Sequence, residues 1–282
     1  MKLIDGKALA TKMRKDLKEK LAGATVTPGL AVVIVGEDPA SQIYVRNKIK
    51  ACEEIGILSF VYRLPADTTQ SQLEGLLEEL ALAEKVHGIL LQLPLPKGLD
   101  AESAMEKIPF EKDVDGFSKE NLGKLVLHEE EVVACTPLGV MKLLEHEGIE
   151  VKGKRAVVLG RSDTVGKPMA LLLLNADATV TVCHSKTTNL KEICRQADVL
   201  IAAIGKARFV TADMVKDGAV VIDVGMNRDE NGKLCGDVDF DAVKEKASYI
   251  TPVPGGVGPM TITMLMHNTC FAAFRGKEVG KV

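Results

Sequence analysis

No tryptophan occurs among the 282 residues, and three tyrosines with seven phenylalanines leave few aromatic faces on which nucleobases could stack. Charge does not compensate. Thirty-six basic residues stand against 39 acidic ones, a formal net charge of −3, so the electrostatic footprint of a nucleic-acid binder is missing. Cysteine pairs of the CxxC type are also lacking: Cys52, Cys135, Cys183, Cys194, Cys235 and Cys270 are scattered, which suggests neither a zinc site nor a disulfide framework and fits a reducing cytoplasm. No apolar run is long enough to span a bilayer. The start, Met1 to Lys7, lacks the apolar core and cleavage site of a secretory signal. The expectation is a cytoplasmic protein with no metal and no membrane or nucleic-acid partner.

What the chain does contain is globular. Hydrophobic residues make up 46% and charged residues 27%, and the length suits two α/β lobes. Aliphatic runs at Leu30–Val35, Phe60–Leu64, Val86–Leu93, Arg155–Leu159, Thr179–Cys183, Val199–Ile204, Val220–Val224 and Tyr249–Val253 alternate with segments of helical period. That alternation predicts parallel sheets covered by helices, with ligands at the carboxyl ends of strands. Cys135-Thr136-Pro137 reads as an N-cap and N1 proline opening the helix near which the lobes divide.

Proline and glycine concentrate in Thr251-Pro252-Val253-Pro254-Gly255-Gly256-Val257-Gly258-Pro259. Such a loop is stiff and bare, able either to approach a ligand closely or simply to turn from strand to helix. Another glycine turn, Gly160-Arg161-Ser162-Asp163-Thr164-Val165-Gly166-Lys167-Pro168, follows the strand ending at Leu159. It has the form of a phosphate-binding turn, although the middle glycine of GxGxxG is missing and an ordinary βα turn remains the alternative. The next strand ends in Cys183-His184-Ser185-Lys186, without the carboxylate that would hold the ribose of NAD. With Arg161, Ser185 and Lys186 available to a phosphate, NADP is favoured. Ala202–Gly205 and Asp223–Asn227 end later strands and are expected to add to the cofactor wall.

In the first half, Ser41 is the expected cap of a helix that stops at Gly56. Val45, Ile49 and Cys52 form its apolar stripe, while Tyr44 and Lys48 lie one turn apart on a neighbouring face. A half-buried tyrosine beside a snorkelling lysine is the plain alternative to a catalytic pair. Gln92 interrupts the apolar Ile89–Pro96 stretch, where a buried amide needs partners, Lys48 being one candidate. Lys112-Asp113-Val114-Asp115-Gly116 fits a surface turn as well as a site, and an EF-hand does not fit it.

Taken in order, Ser41–Lys48, Leu91–Pro96, Lys112–Gly116, Gly160–Ser162 and the Pro-Gly run closely resemble the bifunctional methylenetetrahydrofolate dehydrogenase/cyclohydrolase family over essentially the whole chain. Thr164 departs from the aliphatic residue usual in the family's GRSxxVGxP loop. The resemblance implies an α/β protein of two lobes: a folate-binding catalytic domain at 1–136 and 262–282, with the C-terminal helix returning to it, and a Rossmann-like NADP-binding domain at 137–261. It implies NADP-dependent oxidation of methylenetetrahydrofolate, followed by hydrolysis of the methenyl cation to formyltetrahydrofolate.

By the same resemblance, Lys48 is the proton-transfer group, effective if kept neutral, with Gln92 against it. Tyr44 lies along the aromatic part of folate, and Asp115 meets the pterin N–H edge. Leu91, Leu93, Pro254, Gly255, Gly256, Val257 and Gly258 are implied as further folate contacts, and Gly160, Arg161, Ser162, Val165, Ser185 and Met226 as cofactor contacts. A homodimer is implied too. His184 and Cys135 receive no chemical role. A monofunctional dehydrogenase or a non-catalytic nucleotide sensor of the same fold is the competing expectation, disfavoured because Tyr44, Lys48 and Gln92 are all present.

Overall fold

The computed structural model describes residues 1–275. In chain order the elements are β1 (Lys2–Leu3), α1 (Gly6–Leu21), β2 (Gly29–Val35), α2 (Pro39–Ile55), β3 (Leu58–Leu64), α3 (Gln70–Leu82), β4 (Gly88–Leu91), α4 (Ala101–Met105), α5 (Lys119–Val126) and α6 (Cys135–His146). There follow β5 (Arg155–Leu159), α7 (Gly166–Asn175), β6 (Thr179–Cys183), α8 (Leu190–Cys194), β7 (Val199–Ala202), β8 (Val220–Asp223), β9 (Asn227–Arg228), β10 (Leu234–Cys235), α9 (Phe240–Val243), β11 (Tyr249–Ile250) and α10 (Val257–Phe274). The chain forms two compact units, one of Met1–Thr11 with Thr136–Thr261, the other of Lys12–Cys135 with the residues from Ile262 onward.

In the unit built around Lys12–Cys135, three parallel strands run in the order β3-β2-β4. All seven residues of β2 are buried, as expected of a central strand covered on both faces. Ala31, Val33 and Val35 pack with Leu73, Leu77 and Leu80 of α3 and with Ile89 and Leu91 of β4. The part of α10 from Ile262 onward belongs to this unit. Its buried Asn268 donates from Nδ2 to the carbonyls of Val114 and Val133, at 2.9 and 3.0 Å. The helix therefore anchors the segments on either side of α5.

The other unit holds a six-stranded parallel sheet in the order β1-β11-β8-β7-β5-β6. After β5 the chain goes outward to β6 and then returns past β5 to β7, so strand order reverses between β5 and β7. A parallel sheet opens a crevice at such a reversal.

Several expectations need correction. Ser41 does not cap α2: Asp38 does, its carboxylate accepting from the Ser41 N–H at 2.7 Å, while Pro39 occupies the first turn and Ser41 is buried. An aspartate one residue before a proline is well suited to this, because proline has no N–H to satisfy and the residue before it is extended. Thr136 lies inside α6, and its hydroxyl meets that of Thr261 at 2.9 Å. The C-terminal strands are shorter than their apolar runs. Residues Met1–Thr11, read from sequence as part of the first lobe, group with Thr136–Thr261 because β1 pairs with β11 and Ile4 N–H donates to the Ile250 carbonyl at 2.9 Å.

Candidate active site

Helix α2 is held at both ends, by the Asp38 cap and by Gly56, whose left-handed backbone (φ 95°) lets its N–H close on the Cys52 carbonyl. Val45 and Cys52 are buried and fix the rotation of the helix, which leaves Tyr44 exposed and Lys48 half-buried one turn apart. Opposite Lys48 stands Gln92, the residue after β4. Its backbone N–H continues the sheet by donating to the Val33 carbonyl at 2.8 Å. The side chain is then oriented twice: Nε2 donates to the Leu93 carbonyl at 2.7 Å, and Oε1 accepts from Lys48 Nζ at 3.0 Å. The amide that broke the apolar run is thus satisfied at both ends.

The Lys112–Gly116 turn runs beside β4, bridged through Ile89 and Asp113. Asp113 shapes it. The carboxylate accepts from Gly116 N–H at 3.0 Å, Ser118 N–H at 2.7 Å and Asn121 Nδ2 at 3.0 Å. Asp113 is committed to these bonds, and Asp115 is the second carboxylate of the turn. Burial pushes its carboxyl up to about 6; the charge of Lys48 pulls it down and that of Asp113 pushes it up. Cys135 lies beside the same groups but is occupied, donating to the Val114 carbonyl at 3.3 Å, and burial holds its thiol well above the ordinary range. An inert, buried thiol fits its exclusion from the chemistry.

In the other unit, the turn after β5 lies at the strand reversal. Gly160 has φ 117°, and a Cβ there would come within 2.1 Å of the Ala203 carbonyl oxygen, at the end of β7. Only glycine lets these two strand ends approach. A Cβ on Gly166 would strike the Gly160 carbonyl at 2.3 Å, so the turn folds flat onto the start of α7. Ser162 Oγ accepts from the N–H groups of Val165 and Gly166, at 3.2 and 3.3 Å. Arg161, Ser185 and Lys186 are exposed, and the half-buried His184 serves the turn, its Nδ1 accepting from Lys186 N–H at 3.2 Å. The bare turn, its place at the reversal and the cationic side chains fit a dinucleotide carrying an extra phosphate.

The Pro-Gly run is braced by the N-terminus. Lys7 N–H donates to the Gly255 carbonyl at 2.9 Å, and a Cβ on Gly6 would lie 1.9 Å from the Gly256 oxygen. Val257 and Gly258 already belong to α10, and Gly258 faces the end of the Met226 side chain. Asp223, which the sequence placed in the expected cofactor wall, and Asp237, which it did not single out, support the neighbouring loops. Asp223 accepts from the N–H groups of Gly225, Asp237 and Val238; burial pushes its carboxyl up to about 6, while the Val238 and Asp237 N–H bonds pull it down. Asp237 binds the loop after β7. Asp223 ends the aliphatic run Val220–Ile222, whereas Asp237 follows Gly236 with no such run to mark it.

Residues 4–115 match the catalytic-domain model of tetrahydrofolate dehydrogenase/cyclohydrolase, and residues 134–277 match its NAD(P)-binding domain. The chain belongs to the tetrahydrofolate dehydrogenase/cyclohydrolase family. Among family members, the bifunctional protein FolD of Campylobacter concisus is 60% identical over 97% of this chain and 98% of its own length. The bifunctional FolD methylenetetrahydrofolate dehydrogenase/cyclohydrolase of Campylobacter jejuni superimposes with a TM-score of 0.95 at 53% identity, covering 98% of this chain and 99% of that one. The FolD of Trypanosoma brucei, solved with NADP cofactor and an inhibitor, gives 0.93 at 43% identity, with 98% of each chain covered. All six cysteines are buried and free, and no group of three His, Cys, Asp or Glu able to hold a metal occurs among the described residues. No described helix is long and apolar enough to cross a membrane.

Proposed function

We propose that Lys48, Gln92, Tyr44 and Asp115 bind and hydrolyse the folate of a bifunctional enzyme. The chain is a methylenetetrahydrofolate dehydrogenase and methenyltetrahydrofolate cyclohydrolase, oxidising 5,10-methylenetetrahydrofolate with NADP and hydrolysing the methenyl product to 10-formyltetrahydrofolate. The Lys48–Gln92 hydrogen bond carries the assignment of residues.

When bound, NADP accepts the hydride released from the one-carbon bridge. The protein's part is to hold the donor in place and let positive charge develop between two nitrogens. Asp115 takes the N–H edge of the pterin, where a carboxylate pairs with an amidine-like group. Tyr44 lies along the aminobenzoyl ring, and Leu91 and Leu93 supply apolar walls. We assign backbone contacts with folate to Pro254, Gly255, Gly256, Val257 and Gly258. On the cofactor side, Gly160, Ser162 and Val165 would present the turn to the pyrophosphate, Arg161 and Ser185 would meet the extra phosphate, and Met226 would add a further contact.

Hydrolysis then needs a proton acceptor beside a cationic carbon. Water adds to the methenyl carbon and passes a proton to neutral Lys48, whose Nζ is aimed by Gln92. The bond to N5 then opens as that nitrogen takes a proton and the adduct's hydroxyl gives one up to become the formyl C=O, leaving the 10-formyl product and, on Lys48, one net proton.

The six free thiols support placing the enzyme in a reducing cytoplasm. A homodimer is proposed as well: among the described residues β6 is the edge of its sheet, with Val182 exposed, a surface that a second copy would cover, and light scattering on the purified chain checks it. The activity is tested by supplying methylenetetrahydrofolate with NADP or NAD and following both reduced cofactor and the methenyl absorbance. Formation of methenylfolate with NADP, and its subsequent decay, is expected; preference for NAD, or accumulation of methenylfolate without enzymatic decay, would overturn the reading.

A further inference from the structure

The Asp237 carboxylate is fully buried and makes four hydrogen bonds. Oδ2 accepts from the N–H groups of Ile204 and Gly205, at 2.6 and 3.0 Å, and Oδ1 accepts from Lys206 N–H at 2.8 Å and Asn227 Nδ2 at 2.9 Å. Three successive amides of the loop after β7 therefore converge on one side chain, which also grips the residue following Met226. Asp237 is itself pinned, since its N–H donates to Asp223 Oδ1 at 2.9 Å and its carbonyl accepts from Val210 N–H at 2.9 Å.

A buried carboxylate is costly unless its lone pairs are filled, and here each oxygen has two donors. The arrangement is more than the closure of a surface turn. It ties together two loops at the carboxyl ends of β7 and β8, beside the strand reversal where the cofactor turn lies. Neither Ile204–Lys206 nor Val224–Met226 is regular secondary structure that would hold its shape alone, and Asn227 only opens the two-residue strand β9. Ordering them before a ligand arrives removes an entropic cost from binding.

We infer that Asp237 is a positioning residue for the nicotinamide cofactor, fixing the Ile204–Lys206 and Met226–Asn227 loops so that dehydrogenation, and not hydrolysis, depends on it. This rests on the NADP-dependent reading above. Asparagine at this position offers one acceptor oxygen in place of two and turns an amide toward the converging N–H groups. The loops then lose their common anchor, while Lys48, Gln92 and Asp115 keep theirs in the other unit.

The full-length Asp237→Asn variant separates the two activities. Dehydrogenase KM for NADP, and the NADP Kd from fluorescence titration, are expected to rise about tenfold, the scale of losing charge-assisted bonds. Methenyl hydrolysis measured without any nicotinamide is expected to stay within about twofold of wild type. Unchanged NADP affinity in the folded variant, or equal loss of both activities, would overturn the inference. If Asp237→Asn does not fold, Asn227→Ala severs one of the four bonds; a rise of about threefold in the NADP KM with intact hydrolysis supports the role, and no change refutes it. A wild-type chain that prefers NAD would overturn the cofactor reading instead, and the same two variants would then be compared with NAD.

Discussion

Lys48 and Gln92, 44 residues apart, meet at 3.0 Å with the lysine Nζ donating to the amide oxygen. The bond joins α2 to the residue that ends β4, and the Leu93 carbonyl fixes the amide's other end. A lysine placed this way is half-buried, with Nζ near enough to Asp115 to influence its carboxyl.

Replacing that lysine removes the proton acceptor with modest change in volume. Lys48→Met is expected to lower methenyl hydrolysis by about 100-fold or more, the usual worth of a positioned acid or base. NADP binding should be unaffected. Hydrolysis at the wild-type rate by the purified variant would remove Lys48 from the mechanism.

Asp115 predicts a pH dependence. Its carboxyl is raised to about 6, so it is neutral below that pH and ionised above it. Pairing with the pterin needs the ionised form, and folate affinity should therefore improve as pH rises through about 6. The contribution to stability has the opposite sign. A carboxyl raised on folding binds its proton more tightly in the folded chain, so stability falls as pH rises from the unfolded value toward 6. Asp115→Asn should weaken folate binding and abolish the affinity step near pH 6, and titration of folate at several pH values measures both.

The strand reversal offers a steric test. Gly160→Ala places a methyl 2.1 Å from the Ala203 oxygen at a φ of 117°, so the two strand ends must part. NADP affinity should fall by about tenfold or more, as backbone strain of this kind typically costs, with hydrolysis of methenylfolate largely preserved. Loss of hydrolysis in step with NADP binding would show that the turn supports the whole chain rather than the cofactor.

Asn268 provides a stability prediction away from the chemistry. Asn268→Ala leaves the buried Val114 and Val133 carbonyls short of a donor and is expected to destabilise the protein by about 1–3 kcal/mol. Denaturant unfolding measures it. An unchanged midpoint would mean that these carbonyls find other partners.

Much of the fold was legible because it is written locally. Aliphatic runs marked β2, β5 and β6 almost to the residue, and Gly56 marked the end of α2. Where two local signals competed, the outcome was not visible: Asp38 and Ser41 both suit a helix cap, and Pro39 between them decided for Asp38. The short pairing of β1 with β11 also escaped, since two residues carry no periodicity.

Residue order and type were sufficient to establish the alternating α/β architecture, the glycine turn, the family and its paired activities, because each depends on patterns within a few neighbouring residues or on motifs in series. The Lys48–Gln92 pairing was already a candidate in the sequence, but its geometry across 44 residues came from folding, as did the other partners. Asp237 gathers the amide of Ile204 from 33 residues away, and Asn268 reaches back 154 residues to Val114. Periodicity says which face of an element is buried. Which donor and acceptor meet there depends on how the packed elements close the chain, and the energy of filling a buried polar group exists only once that packing has excluded water.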